Sequence, residues 1–180
     1  MHPRIAGLVT YLEQSRAALL ASIEGRTVEE LEQRPEPEAW SALEILDHLS
    51  LVERRVAGLL TSMEGRARQL GPERSTQSVL GSLDALALTT VTRPVQTPTA
   101  ARPRGHLSLS DAIAELQGTR AQLLAAMKAL DGLALEEIAA SHPILGELNL
   151  YQWMLFVGHH EVRHTSQIRR ALSRAALAPP

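Results

Sequence analysis

Apolar residues recur with a helical period in four separate stretches of this chain, and nowhere do they alternate convincingly as a strand would. The first stretch, residues 3–24, carries Ile5, Leu8, Val9, Leu12, Leu19, Leu20 and Ile23. Pro3 suits its first turn and Gly25 its stop. The second opens at Ser41, where Glu44 three residues later completes a capping-box pattern before an apolar run. Ile45, Leu49, Val52, Val56, Leu59 and Met63 form its stripe, which predicts a helix ending near Gly65. The third begins at Ser108 or Ser110, carries Ile113, Leu116, Leu123, Leu124, Met127 and Leu130, and stops at Asp131-Gly132. The fourth opens at Asn149, with Gln152 as a second capping-box pattern, and presents Leu150, Trp153, Met154, Val157 and Ile168 inward. Residues 32–38, with two prolines, and the stretch holding His142-Pro143 and Gly146 read as loops.

Four one-sided helices must bury their stripes against one another, and the all-α solution is a four-helix bundle. Composition agrees. Hydrophobic residues make up 44% but aromatics only 3%, so the core must be built mainly from Leu, Ala, Val and Ile. That suits helix packing better than a β-sandwich. The length suits one domain over residues 1–180. Residues 66–107 break the pattern, with Gly71-Pro72, Pro94, Pro98, Pro103 and Gly105 among many Ser and Thr, and short local structure is expected around Val79 to Leu88. So long a connection is uncommon inside a compact domain. It permits a crossover, and the expected topology is up-down-down-up. The first two helices are antiparallel, the third is parallel to the second, and the fourth returns antiparallel.

Several function classes lose their physical basis. A formal net charge of −2 gives no electrostatic ground for binding nucleic acid or an anionic membrane surface. No run approaches the ~20 apolar residues of a membrane span. The absence of cysteine excludes disulfides and thiolate metal sites, and fits a reducing compartment. Residues 1–10 lack the apolar core of a signal peptide. A cytoplasmic protein with no nucleic-acid or membrane partner is the expectation.

The chemistry concentrates in the histidines. His160 and His164 are four apart in the fourth helix, which stacks two imidazoles on one face about one turn apart. They lie within about 80° and 40° of Leu150 on a helical wheel, and Glu161 lies about 20° from it. His159 points the opposite way, to solvent. His48 lies about 60° from Ile45, inside the second stripe, while Asp47 is expected to face solvent. His48 falls about 10 Å into the second helix and His164 about 12 Å before the end of the fourth. Antiparallel helices with aligned ends therefore bring them to one level. Three imidazoles from two helices make a divalent-metal site with open coordination positions, the catalytic rather than the closed structural pattern. Imidazole suits several metals, with zinc or nickel expected before iron.

Glu161 is inward and has three readings: a carboxylate that orients a ligand, a further ligand, or the partner of Arg120. It is also the candidate catalytic residue for moving a proton, with Glu53 at the edge of the second stripe as an alternative. Arg120 falls about 20° from Ile113 and reads as an ion-paired residue at the core edge. His2, His106 and His142 read as solvated. The run His160-Glu161-Val162-Arg163-His164 also fits the His-Glu-x-x-His signature of zinc proteases. A protease is disfavoured because no strand is evident to hold a substrate backbone and the third histidine lies upstream on another helix.

Two blocks together resemble the DinB/YfiT-like superfamily. One is Trp40-Ser41-Ala42-Leu43-Glu44-Ile45-Leu46-Asp47-His48-Leu49 followed by Val52-Glu53-Arg54. The other is His160-Glu161-Val162-Arg163-His164-Thr165-Ser166-Gln167-Ile168, similar to the family's His-(Asp/Glu)-x-x-His-x-x-Gln-Ile pattern. The resemblance implies a four-helix bundle with a long connection and a divalent-metal site of His48, His160 and His164. It implies a metal-dependent thiol S-transferase or related detoxification enzyme acting on a small molecule with a low-molecular-weight thiol. Metal-dependent hydrolysis and a non-catalytic, metal-binding stress-response role are the alternatives. Family members are often dimeric, which implies a homodimer.

Overall fold

The structure is a computed structural model that describes residues 1–84, 97–105 and 107–175. Its elements, in chain order, are α1 (Pro3–Ile23), α2 (Val28–Glu32), α3 (Ala42–Leu70), α4 (Leu109–Ala129), β1 (Ala139–His142), β2 (Gly146–Asn149) and α5 (Leu150–Ala175). The four expected helices are α1, α3, α4 and α5. No described helix is long and apolar enough to cross a membrane.

Local chemistry sets the helix boundaries. The His2 side chain caps α1 by accepting from the Arg4 amide, and Pro3 occupies the first turn. At α3 the Ser41 hydroxyl accepts from the Glu44 amide at 3.1 Å and the Glu44 carboxylate accepts from the Ser41 amide at 2.9 Å, closing the capping box. Ser108, not Ser110, caps α4 by accepting from the Asp111 amide. Asn149 and Gln152 exchange reciprocal bonds of 3.0 and 2.9 Å at the start of α5.

Three departures from expectation have physical causes. Helix α3 runs past Gly65 to Leu70, because one mid-helix glycine costs only ~1 kcal/mol. Buried Ala67 and the Glu64–Arg68 pair support the added turn, and the stop falls at Gly71, whose φ of 85° suits glycine. Helix α2 arises from a further capping box, Thr27 with Glu30, and buries Leu31. A hairpin forms where a loop was expected. Strands β1 and β2 pair antiparallel from Ala139↔Asn149 to His142↔Gly146. Only His142 and Leu148 of these strands are buried, so no apolar alternation announces them. In the connection, residues 79–84 form a tight turn, and the remainder of the expected local structure, 85–88, lies outside the described residues.

Side-chain pairs give the helix directions. Arg4, early in α1, meets Glu73, just past the end of α3, so these helices are antiparallel. Arg54 pairs with Glu115 and Glu53 with Arg120, while the Glu73 amide donates to Gly132, so α3 and α4 are parallel. Ser15 meets Glu161 and Arg169 meets Ala18, so α5 runs with α1 and against α3. The bundle is up-down-down-up.

The buried apolar residues fall into two clusters. One contains Leu12, Val56, Leu123 and Val157 with their neighbours, and the other contains Leu19, Leu49, Leu116 and Ile168. Between them, on all four long helices, lie Ser15, Glu53, Thr119, Arg120 and Glu161, all buried. A polar layer therefore divides the core in two.

Helices α1 and α5 approach closely at Gly158. A Cβ there would come within 2.7 Å of Tyr11 Cδ1. Gly158→Ala should therefore force the ring or the helices apart and cost about 1–3 kcal/mol in urea denaturation. Gly118→Ala on α4, where a Cβ meets nothing within 4 Å, serves as the control and should stabilise by up to ~1 kcal/mol.

Candidate metal centre

The structure brings His48 of α3 together with His160 and His164 of α5. Each offers one ring nitrogen, and these atoms all lie within 4.8 Å of one another. His160 Nε2 stands 3.2 Å from the Nε2 of both His48 and His164. Two nitrogens bound to one tetrahedral ion at ~2.0–2.1 Å would stand roughly 3.3 Å apart. The two spacings at His160 fit a shared ion. His48 and His164 are buried, and His160 is partly exposed.

The outer nitrogens explain why the inner ones converge. His48 Nδ1–H donates to the Ala101 carbonyl at 2.6 Å, and His164 Nδ1–H donates to Gln167 Oε1 at 2.9 Å. These acceptors fix the tautomers, so both Nε2 lone pairs point at His160. Lone pairs this close repel one another unless a cation lies between them, and a donor set of neutral imidazoles with anchored outer nitrogens suits a metal ion. Ala101 ends a short 3-10 turn, Thr99–Ala101, in the long connection. The same segment is held to α3 by Arg104, whose backbone amide donates to Asp47 at 2.6 Å and whose Nε and Nη2 donate to it at 3.0 and 2.7 Å. The ring of Trp40 lies 4.9 Å from that of His48, and Phe156 lies 5.2 Å from His160.

All three histidines are held neutral. Burial pushes His164 down to about 3, assisted by His48 and Arg163. Burial also takes His160 well below the ordinary imidazole value, with His164 and His48 contributing. Burial lowers His48 too, although the Ala101 carbonyl works in the opposite direction. Neutral imidazole is the form that binds metal.

Beside the cluster stands a closed ring of four charges. Arg120 donates through Nε to Glu53 at 2.5 Å and through Nη2 to Glu161 at 3.0 Å. Arg16 donates through Nη2 to Glu53 at 2.8 Å and through Nε to Glu161 at 2.5 Å. Thr119 adds a bond to Glu53 and Ser15 a bond to Glu161. Burial opposes the Arg16 charge, but Glu161 and Glu53 more than offset this and raise its pKa. Of the three readings of Glu161, the geometry gives the partner of Arg120. Both of its carboxylate oxygens carry donors, and it is not among the converging ligand atoms.

Other expectations need correction. Asp47 is buried rather than solvated, because Arg104 folds over that face of α3. His142 is buried against Phe156 and Trp153, its Nδ1 accepting from the Ile144 and Leu145 amides of the hairpin turn. His159 turns away from the cluster as expected but is half-buried, 3.4 Å from the Tyr11 hydroxyl. His106 lies outside the described residues. Sequence reasoning did not find Arg16, although it lies about 20° from Ile5 on the helical wheel and so inside the first stripe, nor the roles of Ala101 and Arg104, which depend on the path of the crossover. Gln167 was legible only within the His-Glu-x-x-His-x-x-Gln pattern.

Comparison with known proteins agrees with the fold. The chain is 28% identical over 165 residues to the uncharacterized protein YuaE of Bacillus subtilis (strain 168), covering 89% of this chain and 94% of that protein. Its fold matches the crystal structure of TT2238, a four-helix bundle protein, with a TM-score of 0.64 and 24% identity, covering 92% of this chain and 98% of that one. The sequence pattern that defines the DinB superfamily matches residues 11–168, a span that contains all three histidines and the whole charge ring, and the chain belongs to that superfamily.

Proposed function

We propose that this protein is a metal-dependent thiol S-transferase of the detoxification type, with His48, His160 and His164 holding one divalent ion, zinc or nickel before iron. The observation that carries the metal part of the reading is the convergence of three neutral imidazole nitrogens from only two helices, and the thiol part follows from the resemblance to the superfamily. Such a set leaves coordination positions for a thiol and a substrate. When bound, the ion supplies Lewis acidity that lowers the pKa of a thiol or water ligand.

The chain's own residues supply orientation. The Ala101 carbonyl and Gln167 hold the outer nitrogens of His48 and His164, so the rings cannot turn their lone pairs away. Trp40 and Phe156 pack on His48 and His160 and limit water around them. Glu161 and Glu53 have their carboxylates committed to Arg16 and Arg120, which fits an orienting role better than proton transfer.

The test is a paired assay. Metal-loaded protein is offered a panel of small electrophiles with and without low-molecular-weight thiols, beside a chelator-treated control. Conjugation that needs both thiol and metal is the expected result. Metal-dependent turnover that ignores thiol assigns hydrolysis instead. No turnover on any electrophile overturns the transferase reading and leaves a non-catalytic metal-binding protein.

A further inference from the structure

The ring of Arg16, Glu53, Arg120 and Glu161 is costly to build. Each charge must leave water, and a buried ion pair gains little over well-packed apolar residues of similar size. Folding alone does not call for it, since apolar clusters lie on both sides. Its connectivity suggests another use. The two carboxylates never bond to each other. Each arginine instead bridges both of them, so Glu53 of α3 and Glu161 of α5 are cross-linked twice. Helices α3 and α5 are also the two that carry the histidines. Glu161 directly follows His160, and Glu53 lies about 7.5 Å along α3 from His48. The arginines are themselves anchored to the other two helices, Arg16 Nη1 donating to the Leu116 carbonyl at 2.7 Å and Arg120 Nη1 to the Leu12 carbonyl.

We propose that this four-charge ring is a positioning device for the metal centre, fixing the separation of α3 and α5 so that His48 meets His160 and His164 at ligand distance. The inference rests on the reading of the three histidines as a metal site. None of the four residues is itself a ligand. The guanidinium fork is the part that matters, because one planar group can hold two carboxylates at a set spacing, which a lysine ammonium cannot do.

Cobalt(II) binding to the full chain tests this, through affinity in competition with a chelator and through the ligand-field absorption spectrum. One variant replaces the ring with apolar residues: Arg16→Met, Glu53→Leu, Arg120→Met and Glu161→Leu together. A second, Arg16→Lys with Arg120→Lys, keeps the charges and loses the forks, and it decides the matter if the first does not fold. The control, Arg4→Met with Glu73→Leu, removes a buried ion pair at the other end of the bundle. Folded ring variants should bind cobalt at least about 10-fold more weakly, with a shifted spectrum, while the control binds as wild type does. Wild type that binds no cobalt overturns the metal reading itself. Ring variants that match wild type in affinity and spectrum, or a control that weakens as much as they do, overturn the positioning role alone.

Discussion

Protein carrying both His48→Ala and His164→Ala will retain no stoichiometric divalent metal, whereas wild type purified without a histidine tag will retain about one ion per chain, the number a single three-imidazole cluster holds. Elemental analysis of the two, prepared side by side, makes the comparison. The double substitution leaves His160 as the sole imidazole of the cluster, and a single neutral imidazole competes poorly with chelating buffers. The loss should appear in stability as well. A ligand present at about 100 times its dissociation constant adds roughly 2.7 kcal/mol to the folded state. Added metal should therefore raise the melting temperature of wild type and leave the variant unmoved. Equal metal in the two proteins would sink the assignment.

Metal-free wild type is expected to lose stability steeply on acidification below pH 6.5. Ordinary histidine titrates near 6.5, and that value describes the unfolded chain. In the folded protein His48, His160 and His164 all lie lower, with His164 at about 3. Between those limits the unfolded chain binds protons that the folded protein refuses, so stability falls as pH falls. Each histidine that stays neutral contributes a slope of about 1.4 kcal/mol per pH unit. At pH 6.5 the unfolded histidine is half protonated and each contributes about half of that slope, rising to nearly all of it about one unit lower for every histidine that stays neutral in the fold. Urea denaturation of chelator-treated protein at several pH values measures the slope. The His48→Ala/His164→Ala variant should lose the share of those two histidines and have a shallower slope than wild type, and saturating metal should move the loss to lower pH in wild type. A flat profile between pH 6.5 and 5 in metal-free wild type would refute the buried neutral state.

What the sequence revealed follows the reach of each signal. Helix period and capping boxes act over a few residues, and they located α1, α3, α4 and α5 with the inward phase of His48, His160 and His164. Helix rise then put the three at one level. Asp47 shows the limit. A helical wheel divides core from solvent, but it cannot know that residues 97–105 pass over the outer face of α3 and cover it with Arg104. The hairpin fails for a related reason. Strands of four residues that bury only His142 and Leu148 have too little apolar pattern to register, and the hairpin is held by α5, where Trp153 donates to the Ala140 carbonyl and Phe156 packs on His142. The charge ring was half legible. Arg120, Glu161 and Arg16 are all inward on their wheels, but a wheel does not say which charges meet, and the partners of Arg16 lie 37 and 145 positions away in the chain.

The acceptor that aims His48 is a main-chain carbonyl, that of Ala101. A backbone acceptor has no side-chain identity to select for. A residue that fits the buried Ala101 position and keeps the local turn leaves the acceptor in place, so truncating exposed Thr99 to alanine should be silent, whereas truncating Arg104 frees the segment from Asp47. Substitutions that bend the backbone trace, such as a proline inserted within Thr99–Ala101, would disturb the centre where truncating Thr99 does not.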